Sequence, residues 1–148
     1  MDIIKITFGD EFGKFETEFQ EALDTMFGMV NPALRRRKHA WRPHVDIYES
    51  ADEVLIVVEL AGVARNDIRV EVSRKILRLC GFRRANPSGE HARYRLAEIP
   101  YGYFERTFSM PWPIDRERVE ARFVEGLLQI RLARMPVEKA RTVSIQTE

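Results

Sequence analysis

The chain of 148 residues contains one cysteine, Cys80, so no internal disulfide can staple it, and that usage fits a reducing compartment. Its three histidines, His39, His44 and His91, are too scattered to give a zinc-ligand spacing. Charge of one sign is also missing. Twenty-four Lys and Arg against twenty-three Asp and Glu leave a net charge of +1, too little to draw the protein towards nucleic acid or an anionic membrane. No apolar run approaches the roughly 20 residues of a membrane helix. The first residues are interrupted by Asp2, Lys5, Asp10 and Glu11, unlike a secretion signal, so the expected location is the cytoplasm. Catalytic signatures are lacking as well. No Ser or Cys sits in a nucleophile motif and no glycine-rich loop opens a helix, so neither an enzyme nor any cofactor or metal is expected.

What remains is a chain 45% hydrophobic and 32% charged, enough for one folded core with flanking arms. In the N-terminal stretch, Phe8, Phe12, Phe15, Phe19, Leu23 and Met26 recur at steps of three and four, which at about 100° per residue places them on one stripe. Asp10, Lys14, Glu18, Glu21 and Asp24 fall mostly opposite. The pattern predicts an amphipathic helix over 8–26, weakened by Gly9 and Gly13 at about 1 kcal/mol each. Its apolar stripe either packs on its own domain or serves partner chains and foreign apolar surfaces. A mainly acidic polar face argues against stable membrane association. Asn31 to Pro43, with Arg35, Arg36, Arg37, Lys38 and Trp41, reads as a linker; its short basic run suits a solvated hinge better than a nucleic-acid site.

From His44 to Leu132 the period changes to two. Short Val- and Ile-rich strands separated by turns every 8 to 12 positions or so predict an antiparallel, immunoglobulin-like β-sandwich. Val54, Ile56, Val58 and Leu60 share one face; so do Ile68, Val70 and Val72, and again Leu128, Ile130 and Leu132. Gly81 suggests a bulge or sharp exit from the strand Ile76 to Phe82. Glu125-Gly126 predicts a hairpin turn. Arg83 to Gly102 is a loop too long for a mere connection, and its half-alternating piece His91 to Ala97 is a candidate strand for pairing with another chain's sheet edge. Arg106 lies between Phe104 and Phe108 on one face, where a guanidinium either snorkels to the rim or pairs with a carboxylate. In the charged tail, Val143 and Ile145 point the same way from an extended segment and call for a groove.

These pieces resemble the α-crystallin-related small heat-shock proteins. The resemblance rests on Glu59 to Val63 (ELAGV) with Asp67, Ile68, Val70 and Val72; Leu77 to Arg83 (LRLCGFR); Tyr101 to Pro111 (YGYFERTFSMP) with Asp115; and Ala121 to Leu128 (ARFVEGLL). Ala61 stands where the family usually has a proline, and Ala133 follows the last strand where Pro-Lys often stands. The implied organisation is an amphipathic arm and basic linker over 1–42, an α-crystallin sandwich over 43–133 and a tail over 134–148. The resemblance implies an ATP-independent holding chaperone: a homo-oligomer of dimers that binds unfolded clients and passes them to ATP-dependent refolding chaperones. It further implies client binding by the arm and docking of Val143 and Ile145 into a groove lined by Ile68, Val70, Val72, Val119, Ala121 and Phe123. The long loop matches the bacterial and plant type, whose loop strand crosses to the partner, so Tyr94, Leu96, Glu98, Tyr101 and Arg106 become dimer-contact candidates. Glu98 from the partner is then the acid for Arg106. The rival reading is a monomeric CS-domain-like co-chaperone or scaffold for one folded partner, a class that needs neither the tail motif nor the loop strand.

Overall fold

The computed structural model describes residues 6–8, 40–85 and 89–138. They form eight strands: β1 (Ile6–Phe8), β2 (Val45–Glu49), β3 (Glu53–Glu59), β4 (Ile68–Val72), β5 (Ile76–Arg83), β6 (Gly102–Ser109), β7 (Ile114–Val124) and β8 (Leu127–Arg134), with one 3-10 turn at Arg65–Asp67. Two four-stranded sheets, ordered β1-β4-β5-β6 and β2-β3-β8-β7, make the sandwich that the period-two pattern predicts. Every pairing is antiparallel except β1 with β4.

The alternation decides which side chains meet. Ile56 lies opposite both Ile47 and Ile130, and Val70 opposite Leu79, so the inward rows of the two sheets interdigitate in one core. Val54, Ile56, Val58, Leu60, Ile68, Leu77, Phe104 and Ile130 are all buried there. Burying each such side chain contributes about 1.5–3 kcal/mol. The β7–β8 hairpin closes through Glu125 at φ 52° and Gly126 at φ 80°, the paired positive angles of a two-residue primed turn whose twist matches the strands.

Three local expectations are corrected. Phe8 does not open a helix: it ends β1, opposite Val72. The other predicted helical positions, Phe12, Phe15, Phe19, Leu23 and Met26, lie outside the described residues, as do Val143 and Ile145. Gly81 makes no bulge but pairs regularly with Ile68 and Phe104; it is glycine because a Cβ there would run into the Asp67 carbonyl and the Phe104 ring. The bulge falls instead in β7, between Ile114 and Val119. Ala133 does not follow the last strand but lies inside β8, opposite Glu53.

Trp41, assigned to the linker by composition, is part of the sandwich. Its backbone bridges Phe104, its N–H donates to the Tyr103 carbonyl at 3.1 Å, and its ring meets that of Phe104 at 5.2 Å. Arg106 donates to the Pro43 carbonyl at 2.7 Å, so the chain entering β2 runs beside β6. At the other side, Ile114 donates its N–H to the Arg74 carbonyl at 2.8 Å, tying the start of β7 to the turn after β4. The β2 edge of one sheet therefore lies beside the β6 edge of the other, and the β7 edge beside β4.

The outward face of β4, β5 and β6 carries a buried polar cluster. Arg78 donates to Glu105 at 2.9 Å and lies 3.6 Å from Glu71, while the Tyr103 hydroxyl donates to Glu105 at 2.8 Å. Burial works hardest against the Arg78 charge, but the hydrogen bond to Glu105 and the favourable charge interactions with Cys80, Glu105 and Tyr103 together outweigh it and leave the guanidinium above its ordinary pKa. Cys80 lies in this cluster at 1% exposure, and burial pushes its thiol up to about 12. Only the thiolate attacks, so alkylation of native Cys80 at pH 8 should be at least about 100-fold slower than in the denatured chain. Equal rates in a thiol-reagent assay would show that the cluster opens. The same burial argues against an intersubunit disulfide through Cys80.

Candidate interaction surfaces

Two edges of the sandwich offer themselves to other chains, and the predicted site residues divide between them. The first is β2. Among the described residues its only strand neighbour is β3, and no strand among them pairs with its other side. Ile47 shares the inward face with Val45 and lies opposite the fully buried Ile56, yet it is 51% exposed because the opposing sheet ends at β6 and does not cover it. Tyr48, on the outward face, is exposed too. The pattern did not single out these two residues. Their signal was present in the Val45-x-Ile47 alternation, but the end of the facing sheet is a topological fact that alternation does not carry.

The long loop projects from between β5 and β6 with a rigid base. Arg83, the last residue of β5, stacks over the Trp41 ring at 4.1 Å and donates to the Pro100 carbonyl at 3.1 Å. The Trp41 indole N–H donates to the Gly102 carbonyl, also at 3.1 Å. Both ends of the loop are thus held at one point. Beyond it, residues 89–101 form turns and bends with no strand, so the candidate loop strand His91 to Ala97 is not formed in the single chain. Tyr94, Leu96, Ile99 and Tyr101 remain exposed, Leu96 at 74%, and together with Glu98 line a hollow of about 240 Å³.

Arg106 lies on the inward face of β6 opposite Leu79, with its guanidinium 5.3 Å from the Phe108 ring. Its one described polar partner is the Pro43 carbonyl, its Nε is buried without an acceptor, and no carboxylate among the described residues pairs with it. Burial and the neighbouring Arg42 charge lower its pKa. Among the described residues the charge is therefore incompletely compensated, and it lies beside the segment that enters β2.

The second edge is the groove between β4 and β7. The residues expected to line it differ in burial. Ile68, Val70 and Val72 are fully buried in the chain's own core, and β1 lies along the side of β4 that would otherwise be free. Val119, Ala121 and Phe123 are only partly buried and pack against the core from β7. The open apolar wall is thus the β7 one.

With this architecture in view, the comparisons are direct. The model of the Hsp20/alpha crystallin family matches residues 46–146. The chain belongs to that family. Heat shock protein 16 of Schizosaccharomyces pombe is 38% identical over 103 residues, 68% of this chain and 70% of the relative. Small heat shock protein C4 of Rickettsia felis is 32% identical over 70% of this chain and 63% of its own length, so the likeness spans about two thirds of these relatives. Among solved structures, heat shock protein 16.0 of the same yeast superposes with a TM-score of 0.61 at 29% identity, covering 72% of this chain and 99% of that one. A small heat-shock protein from Xylella fastidiosa gives 0.63 at 27% identity, covering 72% and 98%. Membership in this small heat-shock family supports a chaperone role. No helix among the described residues is long and apolar enough to cross a membrane.

Proposed function

We propose that this chain is an ATP-independent holding chaperone that binds partly unfolded proteins and keeps them from aggregating, acting as a large cytoplasmic oligomer built from dimers. The observation that carries the reading is the pairing of an incomplete sheet edge with an unoccupied loop. Ile47 and Tyr48 on β2 lack cover, and Tyr94, Leu96 and Ile99 lack anything to cover. Exchange of the loops between two copies lets each loop add a strand to the partner's β2 and buries both apolar sets, at the place where Arg106 lacks a full complement of acceptors. Glu98 of the crossing loop is the carboxylate offered for that charge. A monomeric scaffold for one folded partner leaves the edge and the loop without a task.

In this reading the apolar residues at Phe12, Phe15, Phe19, Leu23 and Met26 cover patches exposed on unfolding clients, with Phe8 at the start of the same series. Val143 and Ile145 link dimers by docking beside β4 and β7. Each arm binds weakly because ordering it costs conformational entropy, and many arms on one oligomer supply avidity. Nothing in the sequence cradles a nucleotide phosphate, so client release falls to ATP-dependent refolding chaperones. The test is light scattering from a heat-aggregating client with no nucleotide present. Suppression at a near-stoichiometric subunit ratio is expected; an undiminished signal while the chain itself stays soluble refutes the proposal.

A further inference from the structure

We propose that the outward face of β4, β5 and β6 is a docking surface whose occupant is the chain's own N-terminal stretch, residues 9–39, laid across the strands through the apolar stripe at Phe12, Phe15, Phe19, Leu23 and Met26. The proposal goes beyond the holding function, since it stands whether or not that stretch also meets clients.

An antiparallel sheet packed on one side commonly shows its other side to water. The β2-β3-β8-β7 sheet does so: on β8, an interior strand, the outward Gln129 and Arg131 are exposed. The other sheet does not. On β5, equally interior, Cys80 is 1% and Arg78 8% exposed, and the outward residues beside them, Glu71 of β4 and Tyr103 of β6, are at 5% and 9%. Arg78 lies opposite Glu71 and Cys80 opposite Glu105, so these positions form one continuous patch across three strands. A charged row in mid-sheet reaches such burial only beneath a further layer. Among the described residues, the apolar groups packed against Cys80 and Tyr103 are Ala40 and Phe82, and Phe82 belongs to the sheet itself.

Ala40 shows where that layer enters. It follows residues 9–39 directly, and the next residue, Trp41, donates its N–H to the Tyr103 carbonyl on β6. At the other end, Phe8 precedes the stretch and lies opposite Val72 on β4. The stretch therefore starts at the β1–β4 edge of this sheet and returns beside β6 at the other, with the patch between. A helix from Phe12 to Met26 is about 21 Å long, enough to cross three strands about 4.8 Å apart. The surface suits an apolar stripe. Glu105 accepts hydrogen bonds from both Arg78 and Tyr103, so dry cover leaves none of the three without a partner, while Cys80, Phe82 and the Tyr103 ring offer apolar contact. The other stretches outside the described residues suit this face less: 86–88 is too short, and 139–148 leaves from β8 in the opposite sheet. Cys80 then reports whether the seat is filled.

The test is alkylation of Cys80, the single thiol of the full-length chain, by iodoacetamide at pH 8; it needs no client, so its outcome is separable from that of the holding assay. Phe15→Glu with Phe19→Glu puts charge into the stripe and should speed alkylation about 10-fold or more, because reaction waits on opening of the cover. Lys14→Glu with Thr17→Glu, on the opposite side of the predicted helix, should leave the rate within about 2-fold. Should the Phe variant melt below the natural chain, Phe15→Ser with Phe19→Ser decides in its place. Protection in the natural chain should not change between about 1 and 50 µM, since the cover belongs to the same chain. Equal rates for the natural chain and the stripe variant, or equal acceleration by the two pairs, overturn the docking. Protection that fades on dilution assigns the cover to another subunit and overturns the occupant.

Discussion

Replacing Gly81 by valine should lower the thermal midpoint by about 10 °C or more, because the added side chain costs about 3 kcal/mol of overpacking in a core that cannot yield. Even a single Cβ at this position meets the Asp67 carbonyl and the Phe104 ring. Neither neighbour is free to move. Asp67 sits at the end of the 3-10 turn with its carboxylate held by Arg84 at 2.8 and 3.0 Å, and Phe104 is fully buried against Trp41. Gly89, with nothing near its virtual Cβ, is the control: Gly89→Val should leave the midpoint within a degree or two. Calorimetry or circular dichroism decides it, and equal midpoints for the two variants would show that β5 is not packed as described.

The second large effect is on assembly. Tyr94→Glu with Leu96→Glu puts two charges where the proposed exchange buries two apolar side chains in each of two copies. Losing about 1.5–3 kcal/mol per side chain and desolvating the new charges should raise the dimer dissociation constant by about 100-fold or more. Because both residues are exposed in the single chain, the sandwich itself should melt unchanged. Sedimentation velocity at micromolar concentration should then find single-chain mass for the variant, and dimers and larger species for the natural sequence if the proposed exchange holds. Retention of the dimer by this variant, and by Ile47→Lys on the β2 edge, would move the contact elsewhere.

Much of the fold was legible because it depends on alternation. Val54, Ile56, Val58 and Leu60 announce an inward row by their spacing alone, and the structure buries all four. The Glu125-Gly126 turn is equally local, since positive φ at both positions is a property of two residues and not of their surroundings. Legibility fails where the cause is remote in sequence. Asp115 to Arg118 carry no apolar alternation, yet they belong to β7 because its bulge lets the strand continue past Ile114 beside the β4–β5 turn. Trp41 stood among basic residues and prolines, and only the Phe104 ring and the Arg83 guanidinium reveal it as the anchor of the long loop. The three residues of β1 are too few for any period to register, and they matter solely because β4 has a side to offer.

The surfaces divide in the same way. Tyr94, Leu96 and Tyr101, contact candidates through the family resemblance of their loop, lie exposed on it, whereas the edge they are proposed to complete shows only in the uncovered Ile47. The trio Ile68, Val70 and Val72 was correctly assigned to one face, but that face belongs to the core. A strand bordering a groove contributes its backbone to the groove even when its side chains point elsewhere, and hydrophobic periodicity is blind to backbone.

The most direct test of holding activity is size-exclusion chromatography of this chain heated together with an aggregation-prone client, without nucleotide, and then cooled. The account predicts that client and chaperone elute together as a soluble species larger than either alone, and that serine at Phe12, Phe15 and Phe19 returns the client to the pellet. A client that pellets in full beside the unsubstituted chain, while that chain elutes at its own unheated mass, would contradict it.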